Sequence, residues 1–130
     1  MRQGADLRLA SSQETVREVF GRVARRGRRT GAVILTEADG RLCGLFTDSD
    51  LARLFEQRRD EALDRPIAEV MTRSPITLPL GTRVADALEV FRLRKISELP
   101  VVDADGRPTG LLDITDLVGL GFAEEVEKAA

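Results

Sequence analysis

The sequence contains no histidine. Its absence removes imidazole zinc ligands, Ser–His and Cys–His nucleophile pairs, and histidine acid–base chemistry. The single cysteine, Cys43, can form no intramolecular disulfide and cannot build a thiolate metal cluster; it reads as a small core residue. Tryptophan and tyrosine are missing too, and five phenylalanines are poor material for base-stacking platforms. With a formal net charge of −2, the chain lacks the basic surplus of a general nucleic-acid binder. No apolar run approaches the ~20 residues that a transmembrane helix needs, and no basic-then-apolar signal peptide opens the chain. The expectation is a soluble cytoplasmic protein with neither nucleic-acid nor membrane partners.

What is present is a duplication. Gly31–Leu51 returns 66 residues later as Ser97–Leu117, and between Ala38–Leu51 and Ala104–Leu117 eight of fourteen positions are identical. Self-similarity at a fixed period dictates architecture. A chain of 130 residues, 42% hydrophobic and 32% charged, suits one ordinary globular domain or two small halves that share a core. Each half alone, near 60 residues, would bury only about 60% of its unfolded-chain surface and be marginal.

The local signals repeat as well. Leu7-Arg8-Leu9 is strand-like, and Ser12 and Thr15 are candidate caps for a helix whose apolar face is Val16, Val19, Phe20 and Val23. Gly27 marks that helix's end inside a run of arginines suited to the negative pole of the helix dipole. Ala32–Leu35 reads as a strand covered on both faces, and Asp39-Gly40 as a hairpin turn into Leu42–Phe46. Thr47 and Asp50 form the ends of a capping box for a second helix with Leu51, Leu54 and Phe55 facing the core. In the second half Ile76-Thr77-Leu78 corresponds to the first strand, and Val84, Ala87, Leu88 and Phe91 to the first helix face. Leu99–Val102 is the buried strand, with Pro100 expected near its beginning or at an edge. Asp105-Gly106 is the hairpin turn, and Asp113–Asp116 opens a last helix weakened by Gly119 and Gly121. Each half is thus strand–helix–strand–strand–helix. The boundaries expected are 1–65 for the first repeat, 66–122 for the second and 123–130 for a tail. Met1-Arg2 falls where the second repeat has Met71-Thr72, so the counterpart of Pro66–Val70 is missing; a fragment of a longer protein is the expectation.

The ordered motifs Leu99-Pro100-Val101-Val102-Asp103, Asp105-Gly106, Gly110-Leu111-Leu112 and Asp116-Leu117 resemble a CBS domain. The first half matches through Asp39-Gly40, Gly44–Thr47 and Asp50-Leu51, and Val70-Met71-Thr72 before Ser74–Thr77 is similar too. The resemblance implies an α+β fold of two pseudo-symmetric CBS repeats packed as one CBS-pair (Bateman) module. Gly44–Leu51, GLFTDSDL, resembles more closely the C-terminal CBS pair of arabinose 5-phosphate isomerases of the KpsF/GutQ type. Lys95–Pro100 and Asp116–Leu120 are compatible with it. In that family a sugar isomerase (SIS) domain carries catalysis, and nothing like it stands in this sequence. The resemblance therefore implies a non-catalytic regulatory segment, with an SIS-type isomerase domain acting in cis or in trans and a homodimer as its assembly.

The same resemblance implies sites. CBS pairs bind adenine nucleotides or related ligands in clefts between repeats, through a [Ser/Thr]-x-x-Asp motif whose Asp accepts from ribose hydroxyls. Thr47 and Asp50 keep that motif, and a helix N-terminus favours an anion; a plain capping box accounts for the same two residues. In the second repeat Asp113 replaces the hydroxyl residue and would repel a phosphate, while Asp116 could still hold a sugar diol. Arg28, Arg29 and Thr30 lie where the family's cleft passes, as does Lys95 in the second repeat; arginine forks suit phosphates, though a solvated basic helix end explains the same run. Thr77 and Pro100 complete the candidate ligand contacts, each with an ordinary strand role as its alternative. No cofactor or metal is expected; AMP, ATP or a cytidine-linked sugar such as CMP-Kdo is the ligand class, regulating an isomerase of the Kdo and lipopolysaccharide pathway. Two alternatives stay open: a ligand-independent dimerisation module, and a stand-alone adenine-nucleotide sensor of another pathway.

Overall fold

The computed structural model describes residues 3, 7–24 and 32–119, with side chains at 3, 7–22 and 32–117. Met1-Arg2, the Val23 side chain, Gly27–Thr30, Gly121 and the tail 123–130 therefore lie outside the described residues. From Leu7 onward the chain divides into two compact units at Pro75/Ile76. The first contains β1 (Leu9–Ser11), α1 (Val16–Ala24), β2 (Ala32–Thr36), β3 (Leu42–Thr47), α2 (Asp48–Glu56), two 3-10 turns (Asp60–Asp64 and Ile67–Glu69) and β4 (Thr72–Arg73). The second contains β5 (Leu78–Pro79), α3 (Val84–Arg94), β6 (Glu98–Val102), β7 (Pro108–Asp113) and α4 (Ile114–Gly119). Both show the expected strand–helix–strand–strand–helix order. In its packing the stretch 66–75 lies with the first unit: β4 pairs antiparallel with β3, Gly44 opposite Arg73 and Leu45 opposite Thr72.

In each unit a short first strand lies parallel to the buried middle strand, and a hairpin returns antiparallel, giving orders β1-β2-β3-β4 and β5-β6-β7. The hairpins are superimposable in their bonding. Glu37 N–H donates to Arg41 O and Gly40 N–H to Glu37 O; Asp103 and Arg107, Gly106 and Asp103 repeat the pattern. In each hairpin turn the glycine takes positive φ, 88° at Gly40 and 83° at Gly106, a conformation an L side chain resists. Both hairpins also slip register at the same place, after Leu35 and after Val101.

The register corrects one equivalence. Ala10 sits opposite Leu35, and Leu78 opposite Val101; since Leu35 and Val101 are 66-residue counterparts, Leu78 corresponds to Ala10. Ile76-Thr77-Leu78 therefore repeats Arg8-Leu9-Ala10, one residue later than the alternation L-R-L suggests. A one-residue slip exchanges the faces of a strand; Leu7-Arg8-Leu9 matches the apolar–polar–apolar look of Ile76-Thr77-Leu78, whereas the paired segment Arg8-Leu9-Ala10 does not. Pro100 is a second correction. It is the third of five residues in β6, the central strand of its sheet. Leu80 N–H donates to Val102 O, so even-numbered residues of β6 turn their backbone toward β5. Strand β5 begins only opposite Val101, and the ring nitrogen of Pro100 faces the gap before it, where no ladder bond is lost.

Two apolar clusters form the cores. The first joins Val16, Val19, Val33, Leu35, Phe46 and Leu54 with Ala62 and Ile67 from the 3-10 turns; Phe20 meets Phe46 edge-on at 5.7 Å between centroids. The second joins Leu78, Ala87, Phe91, Leu99, Val101 and Leu117. Phe55, expected on the core face of α2, is instead 54% exposed. Leu51 and Leu54 already supply the inward stripe, and the next residue falls a further ~100° round the helix.

Candidate functional site

Strand β3 runs into α2 without a loop, so Thr47 is both the last strand residue and the helix cap, with φ −105° and ψ 168°. Its Oγ1 accepts from Asp50 N–H at 3.2 Å. The Asp50 carboxylate reaches back: Oδ2 accepts from Thr47 N–H at 2.8 Å and from its hydroxyl at 3.1 Å. Two otherwise unsatisfied helix-start donors are thereby paired. Oδ1 of Asp50 takes a hydrogen bond from Arg53 Nη1 at 3.2 Å. Arg53 is mostly exposed whereas Asp50 is largely covered, so the pair is weak and replaceable by another donor.

The second turn keeps half of this arrangement. Asp116 Oδ2 accepts from Asp113 N–H at 2.8 Å, as Asp50 does from Thr47. The Asp113 side chain turns elsewhere: Oδ1 accepts from Thr115 N–H at 2.9 Å and from Thr115 Oγ1 at 2.8 Å. The hydroxyl that sits beside the first helix start is thus replaced by a carboxylate bonded to the next side chain but one. Ile114 N–H donates to Ser97 O, which brings the segment after Lys95 beside this turn. Lys95 itself ends α3 in the left-handed region, φ 54° and ψ 44°, with its N–H on Phe91 O and its side chain exposed.

The structure therefore groups Thr47 with Asp50 and sets Lys95 two residues from the backbone contact at the Asp116 turn. Thr77 is half-buried one residue before β5, and Pro100 is fully buried within β6. Arg28, Arg29 and Thr30 lie outside the described residues. A polar cavity of about 200 Å³ opens beside Asp50, lined among others by Arg53, Gln57, Arg59 and Glu69. Arg53 was not singled out from sequence, although its i+3 spacing from Asp50 on a helix was the available signal. A larger apolar cavity, about 260 Å³, lies within the second unit between β5, α3 and α4, with Asp116 on its wall.

Chemically, each turn offers a carboxylate already fixed in direction by backbone N–H groups, an acceptor for hydroxyl or ammonium donors. Among the described residues no group of three or more His, Cys, Asp or Glu could hold a metal. No described helix is long and apolar enough to cross a membrane.

Comparison with known proteins agrees with this architecture. The CBS-domain family model matches residues 6–57 and 67–121. Arabinose 5-phosphate isomerase GutQ of Salmonella typhi is 34% identical over 94% of this chain and 37% of its own length. Arabinose 5-phosphate isomerase KpsF of Escherichia coli is 37% identical over 66% of this chain and 26% of its own. The chain thus spans between about a quarter and just over a third of the curated relatives it matches. Among solved structures, the CBS domain protein PAE2072 of Pyrobaculum aerophilum, complexed with AMP, has a TM-score of 0.76 at 29% identity, covering 91% of this chain and 92% of that one. The CBS domain pair of protein MJ0100, in complex with 5′-methylthioadenosine and S-adenosyl-L-methionine, shares the fold with a TM-score of 0.77 at 23% identity, covering 95% and 94%. With two matched repeats that together span most of its length, the chain belongs to the CBS-domain family.

Proposed function

We propose that this chain is a non-catalytic, ligand-sensing module that binds a nucleotide or nucleotide-sugar at the Thr47/Asp50 turn. By that binding it regulates an arabinose 5-phosphate isomerase domain, attached or partnered. The carrying observation is the Thr-x-x-Asp turn itself: Asp50 Oδ2 is aimed by two hydrogen bonds from Thr47, while Oδ1 is bonded to the exposed Arg53. Ribose hydroxyls can take Arg53's place on Oδ1, and a phosphate benefits from the helix start nearby. The ligand class is supported by the AMP complex of PAE2072, and the regulated activity by the isomerases matched over this region. AMP, ATP and CMP-Kdo are the candidates; CMP-Kdo would make the module a feedback sensor of the lipopolysaccharide sugar pathway. The Asp116 turn, where Asp113 puts negative charge in place of a hydroxyl, is the weaker anion site.

A thermal-shift panel of these ligands tests the reading. A ligand at ~100 times its dissociation constant adds about 2.7 kcal/mol of stability, and Asp50→Ala should abolish the shift. Absence of any shift across the panel, or an unchanged shift in the variant, would overturn it.

A second reading, a ligand-independent dimerisation module, is favoured by the same bonds seen otherwise: both Asp50 oxygens already have protein partners. Concentration-dependent dimerisation by light scattering, with no response to any nucleotide, is its signature.

A further inference from the structure

The polar cavity beside Asp50 is built from more than the Thr47/Asp50 turn. Its walls come from α2 and the 3-10 turn Ile67–Glu69, both in the first unit. Asp50, Arg53 and Gln57 stand at i, i+3 and i+7 and so share one face of the helix. The helix then stops in a reversal: Gln57 N–H donates to Arg53 O, Arg58 N–H to Phe55 O and Arg59 N–H to Leu54 O. Arg58 takes φ 55°, at the position where such a stop favours glycine, and the reversal returns Arg59 to the cavity. The charges there are unequally engaged. Asp50 is bonded to Arg53 at 3.2 Å and Glu69 to Arg65 at 2.9 Å. Arg59 meets only Glu61 among the described residues, at 3.7 Å and with both side chains substantially exposed, a weak contact beyond hydrogen-bond length. The group least engaged is therefore a guanidinium. Arg53, Gln57 and Arg59 do not recur in the second repeat, where the 66-residue counterparts are Gly119, Ala123 and Glu125; the shared fold does not need them.

We propose that this cavity is a second ligand site, sharing Asp50 with the turn, and that it takes a small phosphorylated sugar with no base attached. A guanidinium short of an acceptor suits a phosphate, and the Gln57 amide can donate to the same group. Asp50 and Glu69, both on the cavity wall, have lone pairs left to accept from sugar hydroxyls. A hydroxyl on Asp50 Oδ1 takes the place of Arg53, whose freed guanidinium adds a second cation for the phosphate. Size and lining exclude a base. About 200 Å³ is below the ~300 Å³ at which sites for drug-sized molecules begin. Among the described residues the apolar lining is Leu54 and Val70, with no aromatic ring for a base to stack on. The cavity's own charges and volume carry this assignment, whether or not a nucleotide binds at the Thr47/Asp50 turn.

The test titrates the 130-residue chain with ribose 5-phosphate, ribose, inorganic phosphate and AMP at low salt, followed by amide NMR. Ribose 5-phosphate should shift the amides of Gln57, Arg59 and Glu69 saturably, and bind at least about tenfold more tightly than ribose or inorganic phosphate. Arg59→Ala should weaken it about tenfold, the loss of one charged hydrogen bond, and Arg59→Lys should recover part of that. Arg59 is half-exposed, so both variants should fold, and unshifted amides in the two apolar cores check that they do. AMP, whose base cannot enter the cavity, should keep its affinity in Arg59→Ala. No saturable binding of ribose 5-phosphate overturns the proposal, as does equal binding of inorganic phosphate or an affinity unchanged in Arg59→Ala. A parallel loss of AMP binding in that variant overturns it too, by making the cavity the nucleotide's own phosphate pocket. Arg59-dependent binding of ribose 5-phosphate with none of AMP, by contrast, would remove AMP from the nucleotide reading and leave this site standing.

Discussion

Substituting Gly44 by alanine should destabilise the first unit chiefly through its nearest neighbour, Met71. The new Cβ would lie 2.2 Å from Met71 Sδ and 2.9 Å from both Cγ and Cε, well inside the ~3.5–4.0 Å separation at which carbon atoms attract. Strand β3 cannot retreat, since Gly44 is held opposite Leu35 on one side and Arg73 on the other. Met71 must therefore leave, and its thioether packs against the first core. Overpacking of this kind costs typically about 1–3 kcal/mol; methionine's flexibility places the expected loss near 2 kcal/mol. Met71→Ala alone removes the same packing at comparable cost, but in its presence Gly44→Ala should cost almost nothing. Urea unfolding of the four proteins of the cycle gives the coupling energy directly, expected at 1 kcal/mol or more. Additive single effects would refute the idea that the glycine exists to admit Met71.

Ile67→Ala should cost about 3 kcal/mol, within the range for a buried aliphatic truncation, since Ile67 is fully buried in the first core; chemical denaturation checks it. Thr47→Ala should lower stability by about 1 kcal/mol by removing a cap, and a loss below 0.3 kcal/mol would show that the capping box is not a net stabiliser. Glu14 is held below the usual carboxylate range chiefly by its hydrogen bond from Arg22, with Ser11 N–H adding to this and partial burial opposing it. A lowered folded-state pKa gives stability that is present above the unfolded value near 4.5 and is lost as pH falls through the folded one. Arg22 is substantially exposed, so the contribution is about 0.5–1 kcal/mol. The stability gap between the natural chain and Glu14→Gln should accordingly be constant at pH 6–7 and narrow below pH 4.5; a gap that widens in acid would contradict the assignment.

The repeat, the helices and the Thr47 turn were legible because each rests on bonds between near neighbours in sequence. A cap and its third residue, or a glycine in a five-residue hairpin, can be read in a short window. What escaped depends on partners far along the chain. Pro100 reads as a strand-start or edge residue until the length of β5 shows that its nitrogen faces no partner. Phe55 has core spacing, but Leu51 and Leu54 had already used the available surface. The L-R-L strand could be aligned one residue either way because only pairing with β2 fixes its face. Arg53 is an i+3 neighbour of Asp50, but spacing alone does not show that its exposed guanidinium settles on the carboxylate's outer oxygen.

The differences between the two units carry more functional information than their likeness. Backbone register, hairpin bonding and the Asp50/Asp116 hydrogen bonds to the cap N–H are common to both and therefore belong to the fold. The side chain at the cap is not common: a hydroxyl that bonds Asp50 N–H in one unit is a carboxylate turned to Thr115 in the other. Nor is the core's closure, sealed by Ile67 in one and open in the other. If the module only held two copies together, neither difference would be needed. Under the proposed ligand-sensing role, the hydroxyl-capped turn is the better anion site and the carboxylate-capped turn the poorer one. Exchanging the caps with Thr47→Asp and Asp113→Thr tests this. Nucleotide-induced stabilisation should follow the hydroxyl, and stabilisation indifferent to the exchange would contradict the assignment.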